Sequence, residues 1–180
     1  TPVLLSLSRL AFEKNIQELI ASMPDVLAKE PTAQLLIVGD GPARQSLERQ
    51  VREMNLRDHV TFAGQISNDE VPHYYQIADV FVSASDSESQ GLTYDESLAS
   101  DVPIVVRRSE YTDQLIDDPG IGMSFQKRAD LVKGILHYIQ NPPVEEAKAK
   151  REQKLHDISA EVFGRRVVEF YEDCQMRVAE

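Results

Sequence analysis

Cysteine is almost missing. The 180 residues hold one, Cys174, so no disulfide can form within the chain and a reducing compartment suits it. Positive charge is also short: 19 Lys and Arg against 30 Asp and Glu leave a net charge of −11 with no basic block. That balance excludes the positive face which a nucleic-acid backbone demands, and argues against adhesion of this stretch to an anionic membrane surface. No apolar run approaches the length needed to span a bilayer, and no signal-peptide pattern is present. The four histidines, His59, His73, His137 and His156, are scattered without zinc-like or triad-like spacing, and no serine sits in a nucleophile elbow. Cys174 falls in a terminal helical pattern, where core packing is its expected role. Internal repeats and low-complexity linkers are absent too.

What is there reads as one folded domain of ordinary size. Hydrophobic residues make up 42% and charged residues 27%, enough for a real core. Short apolar runs alternate with helical patterns. Val3–Leu7, Gln34–Val38, Val60–Ala63, Val80–Val82 and Pro103–Val106 read as strands, with a last short one at Met123–Phe125. Between them, Asn15–Lys29 carries Ile16, Leu19, Ile20, Met23, Val26 and Leu27 on one face, Pro42 opens a helix to about Met54, and Ser67 with Glu70 caps a short helix over Asp69–Ile77. A helix opens at Leu92. Further helices run from Ala129, over the Glu-, Lys- and Ala-rich Val144–Ala160, and from Glu161 to about Val178 with Phe163, Val167, Phe170 and Cys174 on one side. The expectation is an α/β fold with a Rossmann-like parallel sheet and helices on both faces, plus a C-terminal helical extension over residues 143–180. Because the chain starts on a core-like strand, it is expected to be a piece of a longer protein.

Ligands of such sheets sit beyond the carboxyl ends of the strands. The richest stretch there is Ser87–Ser100, where Glu88 and Glu96 flank the turn Gln90-Gly91-Leu92-Thr93. A strand, a glycine turn and a helix N-terminus leave free N–H groups for a phosphate, while carboxylates accept hydrogen bonds from hydroxyls. Both together suit a ligand with phosphates and polyols, such as a nucleotide-sugar. Two plainer readings stand beside this one: ordinary surface acids, or a metal cluster of Asp86, Glu88, Asp95, Glu96 and Asp101, whose spacing matches no calcium loop. A diphosphate would need cations from elsewhere, and Arg9 and Lys14 in the loop after the first strand supply them. Gly39-Asp40-Gly41-Pro42 lacks the third glycine of a dinucleotide fingerprint, so it reads as a place of close backbone approach.

Taken in order, Ser8-Arg9-Leu10 with Glu13-Lys14-Asn15, Leu36 to Pro42, Val60 to Gly64, Ala78 to Val82, the E-x7-E of Glu88 and Glu96, and Pro103-Ile104-Val105 resemble the C-terminal half of retaining nucleotide-sugar glycosyltransferases of the two-domain GT-B fold. The likeness runs over about Val3–Ile139, with Ile158–Tyr171 resembling the family's closing helix. The wording Ser87-Glu88-Ser89-Gln90-Gly91-Leu92-Thr93-Tyr94 is similar to bacterial diacylglycerol glucosyltransferases.

The resemblance implies a hexosyltransferase using a nucleotide-sugar, UDP-glucose or a close relative, with no metal and no other cofactor. It implies that Arg9 and Lys14 bind the donor diphosphate, Glu88 bonds the donor sugar, Leu92 and Thr93 offer N–H groups beside Gly91, and Glu96 bonds the ribose. Gly39 and Gly41 would let the donor approach, and Gly64, Gln65 and Ile66 would lie near the base. The acceptor domain would be an N-terminal one outside this chain, so the fragment alone would bind donor without transferring sugar. An acceptor lipid would place the intact protein in the cytoplasm, peripheral on the inner membrane face. Two positions depart from the family, which usually has glycine at Ser8 and at Asp101; the latter would put negative charge near the site. A sugar-nucleotide epimerase of the same architecture and a non-catalytic nucleotide-sugar binding module are the alternatives.

Overall fold

The computed structural model describes residues 1–86, 91–142, 144–162 and 165. Apolar runs form six parallel strands: β1 Val3–Leu7, β2 Gln34–Val38, β3 Val60–Gly64, β4 Val80–Ser83, β5 Ile104–Arg107 and β6 Gly122–Phe125. The helices between and after them are α1 Ile16–Leu27, α2 Arg44–Glu53, α3 Val71–Gln76, α4 Leu92–Ala99, α5 Glu110–Leu115, α6 Arg128–Gln140 and α7 Glu145–Asp157. Strand order is β3-β2-β1-β4-β5-β6, so the chain reverses direction across the sheet between β1 and β4. A crevice at such a switch point is where α/β sheets take ligands.

Side-chain alternation along the strands divides the core in two. Leu4, Leu35, Ile37, Val80, Val82 and Val105 face one way, against Ile16, Leu19, Ile20 and Met23 of α1, Leu47 and Val51 of α2, and Leu131 and Ile135 of α6. Leu5, Val38, Phe81, Ile104 and Val106 face the other way, against Tyr75 of α3, Tyr94 and Leu98 of α4, and Leu115 of α5. Both faces are therefore covered, which explains the near-continuous apolar strands.

Several boundaries differ from expectation for local reasons. Pro24 lies inside α1, and the residues before it, Phe12–Lys14, form a single 3-10 turn closed by Asn15 at φ 50°. Pro42 stands ahead of α2, whose N-cap is Ala43. Glu70 does fold back on Ser67, bonding its N–H at 2.9 Å and its hydroxyl at 2.8 Å, but α3 begins only at Val71. Helix α5 was not expected at all. Its signal is a capping box in which Ser109 and Thr112 bond each other reciprocally, with a threonine in place of the usual glutamate. Of the terminal helical pattern, Phe163, Val167, Phe170 and Cys174 lie outside the described residues.

Candidate functional site

The cavity at the switch point is built by the ends of three strands and the starts of two helices. It has a volume of about 540 Å³ and is lined by Ser8 and Arg9 after β1, Gly39 and Asp40 after β2, Gln65 and Ile66 after β3, Asn68 and Val71 around the start of α3, and Thr93 in the first turn of α4. Arg9 is exposed and makes no ion pair or hydrogen bond through its guanidinium among the described residues. A cation left unengaged at the mouth of a cleft is available for an anion.

Glycine is required after β2 by the neighbouring loop. At Gly39, φ is 126° and a Cβ would stand 2.0 Å from the Ser8 carbonyl oxygen; at Gly41 it would stand 2.5 Å from that of Leu10. The two loops are thereby locked side by side, with Ala43 N–H donating to Leu10 O at 2.9 Å and Leu10 N–H to Asp40 O at 3.0 Å. Gly39 also lines the cavity, whereas Gly41 does not. The β2–β3 register shifts at Ile37 and Val38, which pairs Val38 with Gly64 and turns the Gln65–Ile66 loop toward the cavity. Asp40 does not leave raw negative charge there: Gly41 N–H and Arg44 Nη1 donate to its carboxylate at 2.7 and 3.1 Å.

Helix α4 opens at Gly91, which takes φ 59° and whose absent Cβ would lie 2.4 Å from the Tyr111 hydroxyl. The N–H groups of Leu92 and Thr93 have no acceptor among the described residues, so this helix end offers donors and partial positive charge beside Arg9's cavity. Glu96, one turn on, lines an adjoining cleft of about 260 Å³ with Tyr75, Pro72, Ala99 and Ser100. Asn68 and Val71 border both hollows, so the two form neighbouring compartments.

Lys14 is half-buried in the 3-10 turn and does not line the cavity. Glu88 lies outside the described residues. The last described residue before it, Asp86, is tied to the turn that carries Lys14. Asp86, two residues before Glu88, donates its N–H to Glu13 O at 3.2 Å and accepts from Asn15 Nδ2. Arg107 at the end of β5 holds the same loop, with Nε 3.0 Å from Asp86 and 3.1 Å from Ala84 O, while its guanidinium lies 5.1 Å over the Phe125 ring and pairs with Glu18.

A model of the family described as Glycosyl transferases group 1 matches residues 1–156. The chain belongs to that family. It is 44% identical over 171 residues to an alpha-monoglucosyldiacylglycerol synthase of Streptococcus pneumoniae, covering 94% of this chain and 38% of that protein. To the enzyme of the same name from Acholeplasma laidlawii it is 37% identical, over 79% of this chain and 36% of the relative. The chain thus spans less than two-fifths of the length of these relatives. The crystal structure of the pneumococcal O-GlcNAc transferase GtfA, in complex with UDP and GlcNAc, superposes on 95% of this chain and 35% of its own with a TM-score of 0.79 at 22% identity. The sheet is therefore that of a GT-B glycosyltransferase, in its Rossmann-like form.

The structure gives both departures from the expected pattern, Ser8 and Asp101, a local setting. Ser8 needs no unusual backbone, since it is not among the residues with positive φ, and its hydroxyl bonds Arg9 O at 3.2 Å. Asp101 was expected to put charge near the site; it directly follows Ser100, which lines the Glu96 cleft, and its carboxylate is met by two cations. It follows the C-terminal end of α4, about 12 Å along the helix from Leu92. There it takes φ 62°, a conformation that glycine adopts more easily, and pairs with Lys148 at 3.3 Å and Arg151 at 3.6 Å on α7. Arg151 is 2% exposed and also donates to Gly120 O at 2.6 Å, so this corner clasps α7 to the domain.

Asp95, beside Glu96, faces away into a hollow of about 490 Å³ with Tyr111, Gln114, Leu115 and Lys154. Burial first, and then the Glu96 charge, push it up to about 6. No grouping of three or more His, Cys, Asp or Glu able to hold a metal occurs among the described residues. Sequence reasoning missed Tyr75, Asn68 and Val71, because nothing in a short, irregular helical pattern says which side will meet a cleft. Asp40 was within reach: it sits inside the glycine motif already singled out.

Proposed function

We propose that this chain is the donor-binding domain of a retaining glycosyltransferase, residues 143–180 forming its helical extension, and that the intact protein moves a hexose from a nucleotide-sugar to an acceptor. The observation that carries the reading is the convergence on one crevice of an arginine and two N–H groups at the start of α4, none engaged among the described residues, with Glu96 in the adjoining compartment. A diphosphate suits Arg9 and the helix end; a ribose diol suits Glu96. The base would then lie toward Gln65 and Ile66.

When the bond between the sugar's anomeric carbon and the diphosphate breaks, the electron pair leaves with the nucleoside diphosphate. Arg9, Lys14 and the α4 N–H groups would stabilise that growing negative charge, a kind of term that is often the largest in catalysis. The acceptor oxygen forms the new bond and passes its proton to an oxygen of the departing diphosphate, while Glu88 would hold the donor sugar by its hydroxyls. These residues supply the charge stabilisation without a metal.

The names of the two relatives favour glucose as the sugar and a diacylglycerol lipid as the acceptor. UDP is the nucleotide we assign. The acceptor would be held by a separate N-terminal domain, which would also bring the intact protein to the cytoplasmic membrane face; no described helix here is long and apolar enough to cross a membrane. Calorimetric titration with UDP, UDP-glucose, UDP-galactose and GDP-mannose tests the reading. We expect saturable binding of the UDP forms, weakened roughly tenfold or more by Arg9→Ala and by Glu96→Ala. Undiminished binding in both variants would overturn it.

A further inference from the structure

Glu96 is exposed on a surface helix, and an exposed glutamate ordinarily samples many rotamers. Here one of its oxygens is fixed. The phenol of Tyr75, a residue 1% exposed on α3, lies 3.1 Å from Glu96 Oε2 and 2.9 Å from Thr93 O. A phenol has a single proton, and both neighbours are acceptors, so that proton is shared between the carboxylate and the first turn of α4. Glu96 has no other hydrogen bond among the described residues, which leaves Oε1 and the remaining lone pairs of Oε2 turned to the cleft.

Tyr75 is itself held from behind. Its ring packs against Phe81 of β4, centroids 5.9 Å apart and tilted by 39°; Phe81 meets the edge of Tyr94 at 5.9 Å. An aromatic row thus runs from the sheet to the hydroxyl, and a rigid ring with few rotatable bonds transmits that position better than a flexible side chain would. Burial, together with the Glu96 charge, keeps the phenol protonated far above its ordinary range, so it remains a donor wherever the carboxylate is charged.

We infer that Tyr75 is the positioning residue that makes Glu96 selective for a nucleotide with a ribose diol, by fixing one carboxylate oxygen so that the other meets the hydroxyls. This rests on the assignment of Glu96 to the ribose made above. It adds that selectivity between ribose and deoxyribose is set from α3, through a residue that need not touch the nucleotide.

The test is titration of the 180-residue chain with UDP and with 2′,3′-dideoxy-UDP, for the wild type, Tyr75→Phe, Glu96→Ala and the double variant. Tyr75→Phe keeps the ring, and a thermal melt reports whether the fold is kept. The wild type is expected to prefer UDP by about tenfold, as loss of a hydrogen bond to a charged group implies. Tyr75→Phe should remove most of that preference while leaving affinity for the dideoxy nucleotide within about twofold, and should change nothing further once Glu96 is alanine. A Tyr75→Phe protein that keeps the full preference, or loses affinity for both nucleotides equally, overturns the inference while the donor site stands. A wild type that binds both alike, or neither, overturns the assignment of Glu96 and the inference with it.

Discussion

The two faces of the sheet are built from different materials. The face under α1, α2 and α6 is almost wholly aliphatic, with Phe125 and Tyr138 at its margin. The face under α3, α4 and α5 is smaller and centres on Tyr75, Phe81 and Tyr94. Among the described residues, no core hydroxyl of the first lines the crevice. The second ends in phenols, one of which touches Glu96 and one of which, Tyr94, lies 3.3 Å from the Ser83 hydroxyl at the end of β4. Aliphatic packing supplies stability without direction, whereas aromatic rings carry a polar atom to a defined place. One face holds the sheet together, and the other also aims the site.

The comparison can be broken by a matched pair of core substitutions. Ile37→Ala in the aliphatic face should cost about 3 kcal/mol of stability, seen as a lower denaturant midpoint, with affinity for UDP unchanged in the protein that remains folded. If affinity fell as well, the division between the faces would fail. Phe81→Leu in the aromatic face should cost less, about 1 kcal/mol, because volume is nearly kept. It should nonetheless weaken UDP binding severalfold, since the Tyr75 ring loses its support.

The smallest expected effect is electrostatic and sharpens the same contrast. Asp95 projects from the aromatic face's own helix into a half-buried hollow, and its folded-state value near 6 lies above that of an unfolded aspartate. The folded protein therefore binds this proton more tightly than the unfolded one. The resulting stability is complete below pH 4 and disappears as pH rises through about 6. Asp95→Asn should accordingly raise stability at pH 7.5 by about 1 kcal/mol after allowance for solvent screening, and leave it unchanged at pH 4. A melt series across that range decides it; a gain at both pH values would point to packing instead of charge.

Much of this was legible in the chain. Strand runs such as Leu35–Val38 and Val80–Val82 declare themselves through continuous apolarity, because a strand covered on both faces has no polar side to show. Arg9, Gly39, Gln65, Ile66, Thr93 and Glu96 were all named from motifs, and the fold brings them to one crevice or its neighbour. Such motifs sit at strand ends and loop starts, positions that local sequence specifies well. Helix α5 escaped because its cap uses Thr112 where a glutamate is the familiar mark.

Asp101 shows the limit from the other side. Read along the chain, it stands five residues past Glu96 and looks like part of the same acidic cluster. In space, its carboxylate turns to α7, where it meets Lys148 and Arg151, fifty residues later. Likewise Asp86 acquires its role from Arg107 at the end of β5 and from Asn15 ahead of α1, both distant in the chain.

By itself, the sequence determined the elements, their parallel layering and the chemistry offered at the strand ends, since these follow from local periodicity, turn residues and side-chain type. Tertiary structure alone decided which offered groups meet: that Tyr75 reaches Glu96, that Asp101 turns to α7, and that Gly41 packs against the Leu10 backbone. Those pairings join residues far apart in the chain, and whether two such groups meet depends on how the helices cross the sheet, which no local pattern encodes.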